Sequence, residues 1–459
     1  MKTKMAEKLK RTAEIIIVVI LLVFTASISY GEDDGTAASS DTAQASAFSP
    51  DAALFQIIVM TKEGTGTGWQ PEFSPMHGFG FRMNSWNMML HYNWFIRYLD
   101  TDVKDKGVMG ARGISSPNWL MMMLYRDFKK TGKLMFRTMV SLDILTEGGS
   151  GYPNLFQSGE TWNGKLITNR QHPHDLVSEL SMGYSRSIGK NAGVFAYLAY
   201  PGEPALGPAA YLHRASCKEN PKSPLGHHWL DSTHVTFGVM SFGFWLNPFK
   251  LDASIFNGLE PDENRYNFDK PEFNSYSMRL TVNPIKETSM QISYGYIKDG
   301  DRPGQEDKMS KVTASIIYSI PVYDYIDWDY VNWNITSAWG LNLHDENPAN
   351  SFLFESDFQI NGNSFYARLE SVEKTPAELD IVNNDMEHKL YPVTAVTLGY
   401  AREVLDILEY AYSGVAFSVG AQATWHGFGK DLKPVYGDSP VSAEVYIKIS
   451  PKLMKMEGH

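Results

Sequence analysis

From about Asn87 onward, apolar and polar residues alternate in about sixteen segments. In 87–98, Met88, Leu90, Tyr92, Trp94, Ile96 and Tyr98 fall on one face, and Asn87, Met89, His91, Asn93 and Arg97 on the other. Around 134–143, Leu134, Phe136, Val140 and Leu142 oppose Arg137, Met139, Ser141 and Asp143. Leu180, Met182 and Tyr184 oppose Glu179, Ser181 and Ser185. Phe352, Phe354, Phe358 and Ile360 oppose Glu355, Asp357 and Gln359, and Phe365, Ala367 and Leu369 oppose Tyr366, Arg368 and Glu370. The last segment sets Ala443, Val445, Ile447 and Ile449 against Glu444, Tyr446 and Lys448. A period of two with one aromatic and aliphatic face predicts strands that are apolar on one side only.

The gaps between these segments carry a second rhythm. Short connections rich in Gly, Asn and Pro fall at 129–132, 189–191, 247–248, 283–286 and 361–363, with less tidy ones near 321–327 and 402–413. Long ones fall between them, at about 100–117, 146–174, 201–231, 257–272, 298–307, 342–349, 374–390 and 426–439. A soluble antiparallel sandwich would share the alternation of faces. Strands of about ten residues and alternating connection lengths instead predict an all-β transmembrane antiparallel barrel of about sixteen strands, with short periplasmic turns and long outer loops. Such a sheet must close, because an open edge would leave backbone groups unpaired in hydrocarbon.

The ends of the chain fit export. Lys2, Lys4, Lys8, Lys10 and Arg11 precede an apolar run from Ala13 to Phe24, and Ser29-Tyr30-Gly31 offers small residues for cleavage. Residues 1–31 read as a signal peptide. Residues 32–75 then form a flexible periplasmic leader, 76–450 the outer-membrane barrel and 451–459 a C-terminal tail. The barrel does not end on an aromatic residue, Tyr446 being the nearest candidate. The 24 Tyr, 24 Phe and 11 Trp are enough for aromatic girdles at both interfaces of a Gram-negative outer membrane. A net charge of −11 gives no basic footprint for nucleic acid. The expected partners are outer-membrane lipid, lipopolysaccharide and the barrel-assembly machinery, and the oligomeric state stays open. The single Cys217 excludes an intrachain disulfide framework.

Candidate chemistry gathers in the outer loops. His172, His174 and Asp175 lie in the second long loop, and His213, His227, His228, Asp231 and His234 in or beside the third. His344, His388 and His426 sit in or beside later ones. Imidazole and carboxylate at one mouth suit a transition metal, Cu or Zn, although neither local string has a defined zinc spacing. The plainer alternative is a set of loop-packing hydrogen-bonders partnered by Arg170, Arg214 and Arg265. By alternation Met89, His91, Met121, Met123, Arg137, Met139, Glu179, Glu355, Asp357, Arg368 and Glu370 face the lumen. Their thioethers would suit Cu(I), or simply fill irregular space. A rim hydrolase using Ser232 and His234 is a further alternative. On an extended strand, however, those side chains would stand about 7 Å apart, too far for direct hydrogen bonding.

At Arg170-Gln171-His172-Pro173-His174-Asp175-Leu176, Gly202-Glu203-Pro204-Ala205-Leu206-Gly207-Pro208 with His213-Arg214, and His228-Trp229-Leu230-Asp231-Ser232-Thr233-His234, the chain resembles a family of uncharacterised Gram-negative outer-membrane barrel proteins. The resemblance runs from about Pro75 to the C-terminus. Its members are often encoded near copper or other heavy-metal efflux systems, which implies a role in metal homeostasis but no assigned substrate or catalytic residue. The expectation is therefore a non-enzymatic, porin-like barrel that passes or captures a small solute, with a transition-metal ion as the favoured one. A non-metal porin and a structural barrel remain as alternatives. No cofactor fingerprint is present, and only about 55 residues precede the first strand after the signal peptide, too few for a plug domain of the usual size.

Overall fold

Side-chain alternation decides which way each strand faces. In the strand Trp86–Thr101, Ile96 and Tyr98 are exposed while Asn93, Arg97, Leu99 and Thr101 are buried. The same parity recurs in Val441–Pro451, where Val445 and Ile447 are exposed and Glu444, Tyr446 and Lys448 buried. The computed structural model describes residues 53–55, 60–105, 108, 110–129, 131–298, 308–321, 331–344, 347–381, 389–404 and 414–454. The expected signal peptide, most of the tail and His388 lie outside them.

All pairings in the main sheet are antiparallel, and eighteen strands join it. Two are short companions. Phe79–Met83 folds back on the start of Trp86–Thr101, and Arg112–Ser115 continues the line of Asn118–Phe128 beyond a two-residue break. The rest form sixteen staves. The sheet closes where Trp86–Thr101 pairs with Val441–Pro451, Trp94 lying opposite Ile449. Large apolar side chains stand exposed around the wall, among them Ile96, Leu180, Phe244, Ile292, Phe352 and Leu398. So extensive an apolar exterior on a closed sheet is the lipid-facing surface of a transmembrane β-barrel. One expected long connection is absent: Val331–His344 and Asn347–Ile360 stay paired to His344 opposite Asn347, so only 345–346 join them.

The interior is filled from both ends. At the short-turn end, Glu72 pairs with Lys286 at 2.9 Å and the Phe73 N–H donates to the Lys286 carbonyl. From there the chain runs up inside the wall. Arg137 donates to the carbonyls of Gly64 and Gly66, Lys250 to that of Thr67, and Arg279 to the Thr67 hydroxyl at 2.9 Å. The Phe55 ring lies 5.0 Å from Phe195 and 5.5 Å from Trp245. The described part of the leader, 53–55 and 60–75, is therefore packed in the lumen. Wall cations bind its backbone carbonyls and hydroxyls, and the stretch from Glu32 to about Pro50, whose composition reads as flexible, lies outside the described residues.

From the opposite end comes the loop 200–238. Its Ala210 N–H donates to the Thr65 hydroxyl at 2.9 Å. At Gly66, whose φ is +55°, an added Cβ would sit 2.8 Å from the Glu203 Cβ. Charged residues inside the barrel are paired: Arg97 with Glu444 at 2.6 Å, Arg137 with Glu179 at 3.0 Å, and both Arg214 of this loop and Arg368 of the wall with Glu355 at 2.9 Å. Cys217 is buried, with Arg368 donating to its sulfur at 2.8 Å.

Candidate metal centre

Two long loops supply the site. The loop 141–176 carries the short helix Asp143–Thr146 and the hairpin Tyr152–Trp162/Lys165–Gln171, and then delivers His172 and His174 on either side of Pro173. The loop 200–238 carries the one-turn helix His227–Leu230 and the 3-10 turn Ser232–His234. The helical turn puts His227 and Asp231 on one face, since residues four apart are neighbours. The loops are tied together where Asn154 donates to the Ser223 carbonyl at 3.0 Å and Ser223 donates to Gln171 at 2.6 Å.

Five histidines meet there, all buried. Ring centroids are 6.1 Å apart for His172 and His227, 5.7 Å for His172 and His228, 5.2 Å for His227 and His228, 5.2 Å for His227 and His234, and 5.4 Å for His174 and His234. Each turns Nδ1 toward an oxygen. His172 faces Glu160 at 3.1 Å, His174 faces Asp143 at 2.7 Å, His227 faces Asp231 Oδ1 at 2.6 Å and His228 faces Glu260 at 3.3 Å. His234 donates to the Asp231 carbonyl at 2.8 Å. An acceptor behind one ring nitrogen fixes ring orientation and leaves the other nitrogen as a potential ligand.

The Nε2 side is where a cation would bind. Potential ligand atoms of His172, His227 and His228 lie within 4.8 Å of one another. His227 Nε2 has no hydrogen-bond partner among the described residues. His174 Nε2 and His234 Nε2 are 3.2 Å apart, near the roughly 3.4 Å that two imidazoles take on a tetrahedral zinc. The Asp231 carbonyl forces His234 to carry its proton on Nδ1, so His174 must donate from Nε2. His174 Nδ1 faces Asp143 at 2.7 Å on its other side, and a metal ion between the two Nε2 atoms could take the place of the proton they share.

Burial disfavours the charged form of His172, His227 and His234. Burial, then Arg265 and the neighbouring imidazoles, hold His172 well below the ordinary histidine value. Burial and the facing rings of His227 and His174 push His234 down to about 3. Burial lowers His227 despite its bond to Asp231. Burial would raise the Asp231 carboxyl, but Arg214 at 2.5 Å and the His227 N–H outweigh it and hold it below the usual carboxylate range. Neutral imidazole is the form a metal needs.

Of the residues expected in a metal set, His172, His174, His227, His228 and His234 come together, with Asp231 behind two of them. Asp175 stands one shell further out, 3.3 Å from Arg265, which also holds Glu160. Burial, only partly offset by Arg265, raises Asp175 to about 6. His213 belongs elsewhere: its ring contacts are His91 and Trp119. Met89, Met121, Met123, Arg137, Met139, Glu179, Glu355, Asp357, Arg368 and Glu370 are buried inside the wall, and His91 lines a cavity beside them. Asp143, Glu160 and Glu260 complete the centre although spacing did not single them out, because Asp143 and Glu160 meet their histidines only through the folding of the loop 141–176 and Glu260 comes from another loop. Ser232 and His234 do not sit on a strand but in a 3-10 turn, with His234 Nδ1 turned to the Asp231 carbonyl and Nε2 to His174 rather than to Ser232.

No known family profile matches the sequence, and no curated relative does. Among solved structures, the chain is similar to a Salmonella typhi OmpF in complex with daunomycin, at 9% identity and a TM-score of 0.47, covering 81% of this chain and 100% of that one. It is similar also to an anion-selective porin from Comamonas acidovorans, at 11% identity and a TM-score of 0.45, covering 80% and 99%. Acinetobacter baumannii OccAB4 shows 6% identity and a TM-score of 0.36, covering 79% and 97%. Overlaps this loose say nothing about activity; the barrel rests on the chain's own strand pairing.

Proposed function

We propose that the chain is a porin-like barrel of the Gram-negative outer membrane that captures a transition-metal ion, Zn or Cu, at the five-histidine centre beneath its long loops. The observation that carries this reading is the shared orientation of the rings. All five turn Nδ1 to an oxygen, four of these oxygens belonging to carboxylates, while ligand atoms of His172, His227 and His228 gather within 4.8 Å and His174 and His234 bring their Nε2 atoms to 3.2 Å. Metal-ligating histidines are oriented by such outer partners. Capture is favoured over free passage because the described lumen is packed by the leader and the loop 200–238. Lipid, lipopolysaccharide and the barrel-assembly machinery are the partners this location entails. The heavy-metal association implied by the family resemblance points the same way.

Calorimetric titration of the purified barrel with Zn(II) and Cu(II) near neutral pH tests the reading. Replacing His172 and His174 together by Ala should weaken binding more than tenfold. A second reading, in which the histidines only pin the two loops together, draws on the His174–His234 link between them. It expects a lower melting temperature in the same double variant and no change in metal binding. Undetectable binding by the wild-type barrel would end the metal proposal.

A further inference from the structure

A second cluster lies closer to the turn end and shares no residue with the five histidines. Where Trp86–Thr101 pairs with Asn118–Phe128, Met89 stands opposite Met123 and His91 opposite Met121. Directly opposed residues have Cβ atoms about 4.5–5.5 Å apart, and all four positions share the inward parity of their strands. Three thioethers and an imidazole therefore form one continuous patch on the inner wall. The leader lays Met60 against it. The loop 200–238 adds His213, whose ring centroid is 5.4 Å from that of His91.

These groups surround a cavity of about 110 Å³, more than the ~30 Å³ share of one liquid water. His91 Nε2 is buried and without a hydrogen-bond partner among the described residues. A patch that served only packing would not need an imidazole nitrogen left unpaired. The other charges on the cavity wall are Glu63, Arg137, Arg214 and Lys218, of which Arg214 is held by Asp231 and Glu355 and Lys218 lies 3.5 Å from Glu219. Glu63 accepts from the Tyr125 hydroxyl at 2.7 Å, and Arg137 is engaged by Glu179.

We infer that this cavity binds a soft monovalent cation of the Cu(I) or Ag(I) class, through the sulfurs of Met89, Met121 and Met123 and the imidazole of His91 or His213. Thioether sulfur selects soft ions. A second void of about 30 Å³ reaches from His174 to Asn93, Trp119 and Leu212, which also line the larger cavity. The thioether site thus lies between the five-histidine centre and the turn end of the barrel. It does not depend on metal at that centre.

Silver(I) is a redox-inert probe for the purified full-length barrel. The expected result is Ag(I) binding with sulfur scatterers in the silver-edge X-ray absorption spectrum, retained when His172 and His227 are both replaced by Ala. Met89→Leu, Met121→Leu and Met123→Leu together conserve volume, so the barrel should fold, and Ag(I) affinity should fall more than tenfold. Absence of Ag(I) binding by the wild type, a silver spectrum without sulfur, or unchanged affinity in the triple variant would each overturn the inference. Should the variant fail to fold, the wild-type spectrum decides alone. Loss of Ag(I) in the His172/His227 variant would assign silver to the five-histidine centre, refuting this site while leaving the first proposal standing.

Discussion

Gly159 occupies a position in the centre that tolerates no side chain. Its φ is +136°, and a Cβ there would lie 2.1 Å from His228 Nε2. Gly159→Ala should displace the His228 ring and weaken Zn(II) binding about tenfold or more, within the range seen when ligand orientation is disturbed. Binding titrations with a melt on the same sample would separate lost affinity from lost fold. The imidazoles also set a pH dependence. His172, His227 and His234 are held below their ordinary value, His234 at about 3. Below about pH 6.5 the unfolded chain binds protons that the folded one refuses. Stability from these groups is complete above that pH and is lost as pH falls, so metal-free barrel should melt at progressively lower temperature between about pH 6.5 and 4. A flat melting temperature across that window would contradict the neutral buried rings. The histidine strings could be read from the sequence because they are short and local. Their carboxylate partners could not, since Glu160, Asp143 and Glu260 reach them only through the fold.

Among elements, strands were the most legible, because lipid and lumen impose opposite chemistry on successive residues. Ile335 and Asn334 show how far that legibility extends. Ile335 lies on the lipid-facing parity, and Arg there should cost roughly 2–4 kcal/mol at the membrane midplane. A water-filled lumen would make charge at Asn334 nearly harmless. Asn334 is instead buried, donates to Asn332 and stands opposite Asp357. Asn334→Asp should therefore also be clearly destabilising, as measured by urea unfolding in detergent or lipid, because it adds a buried negative charge beside another. A neutral effect would mean that the lumen at this level is wet. The leader was the least legible element. Its Gly64, Thr65, Gly66, Thr67 and Gly68 run has no apolar periodicity, and its order comes from Arg137, Lys250 and Arg279 on distant staves. The connection expected at 342–349 was misjudged for a related reason: Asn and Pro residues there suggested a loop, yet cross-strand pairing runs on to His344 and Asn347.

The whole molecule is a barrel closed on itself and packed inside, with a histidine centre under its long loops and a thioether cavity below. If the leader is what fills the turn end, deleting residues 53–75 should raise ion conductance in planar bilayers well above that of the intact protein. Equal conductance would place the seal in the loops alone. The central claim, that the five histidines hold a metal, is tested most directly by anomalous diffraction from crystals soaked with Zn(II). The account predicts a peak in the His172/His227/His228 group or between His174 and His234, about 2.0–2.1 Å from the ligating nitrogens. A saturating soak that leaves those positions without a peak, while zinc is found only on surface residues, would contradict it.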